Sequence, residues 1–175
     1  LILKGFEIEL RPLAHKDIET VRQWRNSDAI RRYALSQALI SQEDQERWFQ
    51  ALQHKKDEYF VIVIQNLPSG LIWFNIHEEE IETGFYVAEE RYQNSLTPYK
   101  IVTLFHRYLF EEKGFENITC KIMTDNPRAV RFNLSLGYKE VASFERYKLY
   151  RLSRRDYALA NAKIKALLQR EKPCA

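Results

Sequence analysis

Residues 125–138 read Asp125-Asn126-Pro127-Arg128-Ala129-Val130-Arg131-Phe132-Asn133-Leu134-Ser135-Leu136-Gly137-Tyr138. Asparagine followed by proline marks a helix start. The asparagine side chain can cap a free amide, and proline suits the first helical position, where no N–H is needed. The helix runs to Gly137, which can adopt the left-handed conformation of a stop. Around it lie strand-like runs: Asn117–Thr124 before, Val141–Phe144 and Tyr147–Leu152 after, the last two joined by a tight turn. Thr97-Pro98 repeats the cap-and-proline signature upstream. There Ile101, Leu104, Phe105 and Tyr108 form a buried stripe and Gly114 ends the helix.

Toward the N-terminus three strands follow one another. Tyr59–Gln65 turns through Asn66-Leu67-Pro68-Ser69-Gly70 into Leu71–Ile76, and the acidic Glu78-Glu79-Glu80 turn leads to Ile81–Ala88. Such short turns predict an antiparallel meander. Phe6–Leu13 alternates apolar and polar residues, a half-buried strand ended near Pro12. Ala14, Ile18, Val21 and Trp24 then fall at helical spacing. A second helix starts at Ser41, with Asp44 placed for a capping box and Trp48, Phe49 and Leu52 as its apolar face. A last helix, about 154–170, carries Tyr157, Ile164, Leu167 and Leu168 on one side. The order β-α-α-β-β-β-α-β-α-β-β-α, without repeats or linkers, predicts one mixed α/β domain. Residues 1–153 form its body, and 154–175 add a basic amphipathic helix packed on the same domain.

Composition narrows the function. The chain has 175 residues, 45% apolar and 29% charged, with a formal net charge of +3. That length can bury roughly two-thirds of the unfolded surface, enough for a core without staples. No two of the five glycines are closer than fourteen residues, so neither a G-x-G-x-x-G nor a Walker A loop is present. Cys120 and Cys174 form no Cys-x-x-Cys pair, and His15, His54, His77 and His106 show no metal-ligand spacing. No apolar run approaches the roughly 20 residues of a membrane span. These features predict a reduced, cytoplasmic protein without metal or membrane. Residues 139–175 hold ten basic and four acidic side chains, against 17 and 20 in the rest. We read that excess as a solvated helix face rather than a nucleic-acid surface.

The element order, with Asn126-Pro127-Arg128-Ala129 and Leu136-Gly137-Tyr138 near the end, resembles the GNAT superfamily of acyl-CoA-dependent N-acetyltransferases. The segment 125–138 looks like the family's N-x-x-A-x-x-x-x-x-x-L-G-F/Y element. Leu10-Arg11-Pro12-Leu13 with Trp24-Arg25-Asn26 looks like the branch of ribosomal-protein N-terminal and amino-sugar-nucleotide acetyltransferases. The resemblance covers about residues 6–153 and implies a mostly antiparallel central sheet flanked by helices. It implies acetyl transfer from acetyl-CoA to a primary amine, an amino sugar nucleotide or a protein N-terminus, by direct attack, in a monomer or homodimer.

It also implies roles for residues. Glu82 matches the strand glutamate that serves several members as general base, and partial burial on a strand would raise its pKa. Main-chain groups of Tyr86, Val87 and Ala88 would hold the thioester and pantetheine. Gln93, Asn94, Ser95 and Thr97 with the following helix N-terminus would receive the pyrophosphate. Asn126 would reach the pantetheine amide, with Asn133 in the same cofactor set; helix capping accounts for Asn126 equally well. Trp24, Arg25 and Tyr33 would line the acceptor side. The chain departs from the family at three positions. Leu96 and Pro98 replace small residues of the pyrophosphate loop, and Asn133 replaces a tyrosine acid, which an amide cannot imitate. A non-catalytic GNAT-fold protein that binds a ligand or partner is therefore the alternative.

Overall fold

The computed structural model describes residues 1–78 and 80–169; Glu79, Arg170 and Cys174 lie outside them. Eight strands form one sheet in the order β1-β2-β3-β4-β5-β6-β8-β7. Their ranges are β1 Leu3–Gly5, β2 Ile8–Pro12, β3 Glu58–Ile64, β4 Leu67–His77, β5 Glu80–Val87, β6 Asn117–Met123, β7 Lys139–Ser143 and β8 Tyr147–Ser153. All neighbours pair antiparallel except β5 and β6, which run parallel and share a single bridge, Glu82↔Thr119. The helices are α1 Ile18–Asn26, α2 Asp28–Arg31, α3 Gln42–Leu52, α4 Glu90–Gln93, α5 Thr97–Arg107, α6 Pro127–Ser135 and α7 Arg154–Gln169.

A parallel join needs a crossover, and α5 provides it. Pro98 and every residue from Ile101 to His106 are buried, so α5 is enclosed nearly all round. It packs with Leu10, Ile62, Ile72, Phe74, Ile118 and Leu152 of the sheet. A π-helical turn, Tyr108–Glu112, extends it before Gly114 at φ +77° releases the chain. The opposite sheet face carries a smaller cluster of Val21, Val61 and Leu71, edged by Trp24, Tyr59, Trp73 and Tyr86. Helix α7 packs against α5 and β8 through buried Tyr157, Ile164 and Leu168. No described helix is long and apolar enough to cross a membrane.

Several sequence expectations are corrected. Phe6 and Glu7 are not strand residues: at φ 55° and 62° they form the turn of a β1–β2 hairpin. The next turn is not Asn66–Gly70 but Gln65-Asn66, again with both φ positive, and Leu67–Gly70 already belong to β4. Two-residue turns of this kind match the twist of paired strands, so they displace the longer Pro/Gly loop. The β3–β4 register shift beside Ile62 and Val63 accommodates the extra residue of β4. Thr97 is not the cap of α5 but its first residue, preceded by Leu96. Leu167 is 42% exposed, on the outer side of α7. The first helix opens with a 3₁₀ turn, His15–Asp17. There Asp17 accepts the Ala14 amide and both guanidinium arms of Arg11 at 2.7 Å, which explains the Leu-Arg-Pro-Leu stretch.

One buried group carries a pH signature. His106 is 5% exposed, packed among Phe110, Tyr138 and Tyr157, with Nε2 3.2 Å from the Tyr138 hydroxyl. Burial pushes its pKa down to about 3, so the folded protein keeps it neutral. The unfolded chain takes up a proton near pH 6.5; the stabilisation is therefore complete above that pH and is lost as pH falls toward 3. Urea unfolding at pH 7 and pH 5 should show wild type losing about 2 kcal/mol more than His106→Phe over this interval. An equal loss in both proteins would show that His106 is not the group responsible.

Candidate active site

The departure of β5 from β6 creates the site. Beyond Glu82↔Thr119, β6 gives β5 no further ladder partner among the described residues. The Ala88 amide donates to Ser69 O of β4 at 2.8 Å, making that pair a hydrogen-bonded one. Antiparallel alternation then turns the Tyr86 main chain to β4, and the main chains of Phe85 and Val87 toward the gap. Of the three expected main-chain positions, only Val87 faces the opening; Phe85 is the one that was not foreseen. The Val87 carbonyl accepts Gln93 Nε2 at 2.9 Å.

Gln93 is in turn clasped by Arg128, whose guanidinium donates to the Gln93 carbonyl and to Oε1. Arg128 thus ties the start of α6 to the loop ahead of α5. In that loop Asn94 ends α4, and Ser95 Oγ accepts the Thr97 amide at 3.1 Å. Pro98 has no amide to give. Leu96 packs against the main core, which accounts for an apolar residue there. Across the gap, Asn126 Oδ1 caps α6 by accepting the Ala129 amide at 3.1 Å. Asn133 Nδ2 donates to Ala129 O at 2.8 Å, while Oδ1 lies 3.6 Å from the Cys120 thiol. Burial pushes that thiol pKa up, leaving Cys120 protonated. Phe85, Phe132 and Tyr99 line this side, with ring centroids 5.7 and 4.9 Å apart in turn.

Glu82 projects to the opposite face. Its Oε2 is 2.7 Å from Lys121 Nζ and 4.0 Å from His77 Nε2, so the carboxylate is paired rather than isolated. Lys121 was not singled out in the sequence, although it is the one charged residue of β6. Strand alternation extends this face through Gly84 to Tyr86. The Trp73 indole lies over Gly84, where an added Cβ would come 2.4 Å from Cζ2. Tyr59 stacks on Trp73 at 5.9 Å and donates to Asn75 Oδ1 at 2.7 Å. Trp24 meets the Tyr86 ring edge to face at 6.3 Å.

The buried Tyr86 hydroxyl has no hydrogen-bond partner among the described residues. Burial pushes its pKa up, and the nearby Arg25 charge opposes the shift. Burial likewise raises Tyr59, to about 12. Arg25 itself has no carboxylate at ion-pair distance among the described residues. Trp24 and Arg25 are thus brought to the site face, whereas Tyr33 is covered by the Arg32 guanidinium, 4.4 Å from its ring centre. Tyr59, Trp73 and Asn75 escaped sequence reading because β3 and β4 are apolar almost throughout and betray no face. No group of three or more His, Cys, Asp or Glu side chains that could hold a metal occurs among the described residues.

Asn26 ties the segment ahead of α3 to α1. Its amide donates to Ile40 O and its Oδ1 accepts the Ile40 amide, both at 2.9 Å, and Arg22 adds a bond to the same carbonyl at 3.1 Å. Asn26→Ala should cost about 1–3 kcal/mol in chemical denaturation and speed hydrogen exchange at the Ile40 amide. Unchanged exchange there would mean that the segment is held by other contacts.

Residues 7–139 match the family model described as "Acetyltransferase (GNAT) domain". Among solved structures the chain is similar to apo FdhC, a nucleotide-linked sugar GNAT, with 19% identity, 94% of this chain and 97% of that one covered, and a TM-score of 0.81. It is similar to spermidine N-acetyltransferase from Vibrio cholerae, in complex with CoA and spermine, at 18% identity, with coverages of 88% and 99% and a TM-score of 0.78. A GCN5-related N-acetyltransferase from Brucella melitensis matches at 13% identity, with coverages of 96% and 85% and a TM-score of 0.77. No protein of curated function matches the sequence. At these identities the structural likeness is one of fold, and the family model, spanning most of the chain, places it: this protein belongs to the GNAT acetyltransferase domain family.

Proposed function

We propose that this chain is an N-acetyltransferase that carries an acetyl group from acetyl-CoA to a primary amine by direct attack. The observation that carries this reading is the opening between β5 and β6, where strand main chain lacks a ladder partner beside a carboxylate. Bound acetyl-CoA supplies the activated acyl group. Val87 and Phe85 offer main-chain groups along the gap; Gln93, Asn94, Ser95 and Thr97, with Asn126 and Asn133 opposite, surround the remainder of the cofactor path. Tyr86 and Ala88 support the same strand from its β4 side. Displacement of the Gln93 amide would free the Val87 carbonyl to accept a pantetheine N–H.

Glu82 is the proposed general base. The amine nitrogen bonds to the acyl carbon, its proton passes to the Glu82 carboxylate, and the C–S bond breaks with the electron pair leaving on sulfur. Lys121 holds the carboxylate in position. The acceptor lies on the face of Trp24 and Arg25 and is an amino sugar nucleotide or a protein N-terminus.

Release of CoA thiol, followed with a panel of amines, tests this reading. Glu82→Gln should lower the rate about 100-fold or more while acetyl-CoA affinity by calorimetry stays unchanged. A chain that neither binds acetyl-CoA nor acetylates any amine would overturn it. The second reading, a non-catalytic binding protein of the same fold, draws support from Gln93 seated on Val87 and from the capped Thr97 amide. Micromolar acetyl-CoA binding with turnover would exclude it.

A further inference from the structure

The tip of the β7–β8 hairpin is built unlike an ordinary solvated turn. Phe144 and Tyr147 stack at 4.7 Å with their planes 23° apart, and Phe144 is 49% exposed. Leu35, 43% exposed, faces them from the segment that follows α2. Together with Glu145 and Arg146 they line a cavity of about 340 Å³. The hairpin tip is held in place: Arg146 O accepts both the amide and the hydroxyl of Thr124, at 3.0 and 3.3 Å.

This cavity adjoins the proposed base. Lys121 Nζ, 2.7 Å from Glu82, lies 5.9 Å from the Tyr147 ring centre. The lining carries one cation, Arg146, and one carboxylate, Glu145. Arg146, like Arg25, has no carboxylate at ion-pair distance among the described residues. Glu82 is neutralised by Lys121, leaving Glu145 as the one carboxylate in the lining. A polyamine would find no excess of acidic groups here. A flat ring can lie between an aromatic face and a branched aliphatic side chain, and an arginine can reach phosphate oxygens beside it. Glu145 can accept a ring N–H.

We propose that the cavity of Leu35, Phe144, Arg146 and Tyr147 binds the nucleoside diphosphate portion of the acceptor, presenting a sugar-borne amine to Glu82. The proposal rests on the acetyltransferase reading and selects, from its two acceptors, the nucleotide-linked one. The base stacks on the Phe144–Tyr147 face under Leu35. The diphosphate pairs with Arg146, and the sugar extends past Lys121 toward the base pair of Glu82 and Lys121.

UDP, which has no amine to acetylate, is the probe. It is titrated calorimetrically into the full chain with CoA present in excess, so that the cofactor's own nucleotide region cannot report. UDP should bind, and more weakly as salt rises. Phe144→Ala and Arg146→Ala should each weaken it about tenfold, with acetyl-CoA affinity unchanged. Failure of UDP to bind, or equal binding by wild type and both variants, overturns the proposal. Acetyl-CoA titrated alone reads the enzyme assignment separately: binding of acetyl-CoA without UDP sinks only the nucleotide site. Binding of UDP, sensitive to both variants, without acetyl-CoA upholds the cavity assignment and sinks the transferase.

Discussion

The structure depends on one defect in its own hydrogen bonding: a sheet of antiparallel ladders that is joined in the middle by a single parallel bridge. Strand main chain that lacks a partner inside a protein is costly unless something else satisfies it. Here the gap past Glu82↔Thr119 is held open from one side by α5, whose enclosure among core side chains makes it a fixed wedge. The Gln93 amide on the Val87 carbonyl is what satisfaction looks like when the chain supplies the partner itself. A ligand with amides at the same spacing can take that place.

The two sheet faces divide the labour of stability and recognition. One face packs a continuous apolar core on α5 and α7, including the neutral His106 and the protonated Cys120. The other carries only a small apolar cluster and is otherwise aromatic, with polar atoms set among rings. A buried tyrosine hydroxyl without a partner, as at Tyr86, costs about 1–3 kcal/mol, and a well-packed structural face would avoid it. Its neighbour Arg25 has no carboxylate at ion-pair distance among the described residues, so both groups on this face keep bonding capacity.

Much of the architecture was legible in order and punctuation. Asn126-Pro127 and Gly137 bounded α6 because capping chemistry is local, and the short turns between the strand-like runs of residues 59–88 announced the meander. The residues that failed to announce themselves did so for physical reasons. Phe6 and Glu7 continue an alternating pattern yet turn, because left-handed turns tolerate side chains that propensity disfavours there. Lys121 was visible as a lone charge in an apolar strand, but its partner Glu82 is 39 residues away and meets it only through the parallel bridge. Asn26 gave no hint that its amide would hold Ile40.

By itself the sequence determined the succession of elements, the buried stripe of the helix after Thr97-Pro98 and the family segment at 125–138, because each rests on periodicity, capping or spacing along the chain. Tertiary structure alone decided which main-chain groups of β5 face the gap, that Glu82 is paired with Lys121, and that Phe144, Tyr147 and Leu35 converge beside them. Those facts depend on register between strands distant in sequence, and a shift of one residue would turn every side chain to the other face.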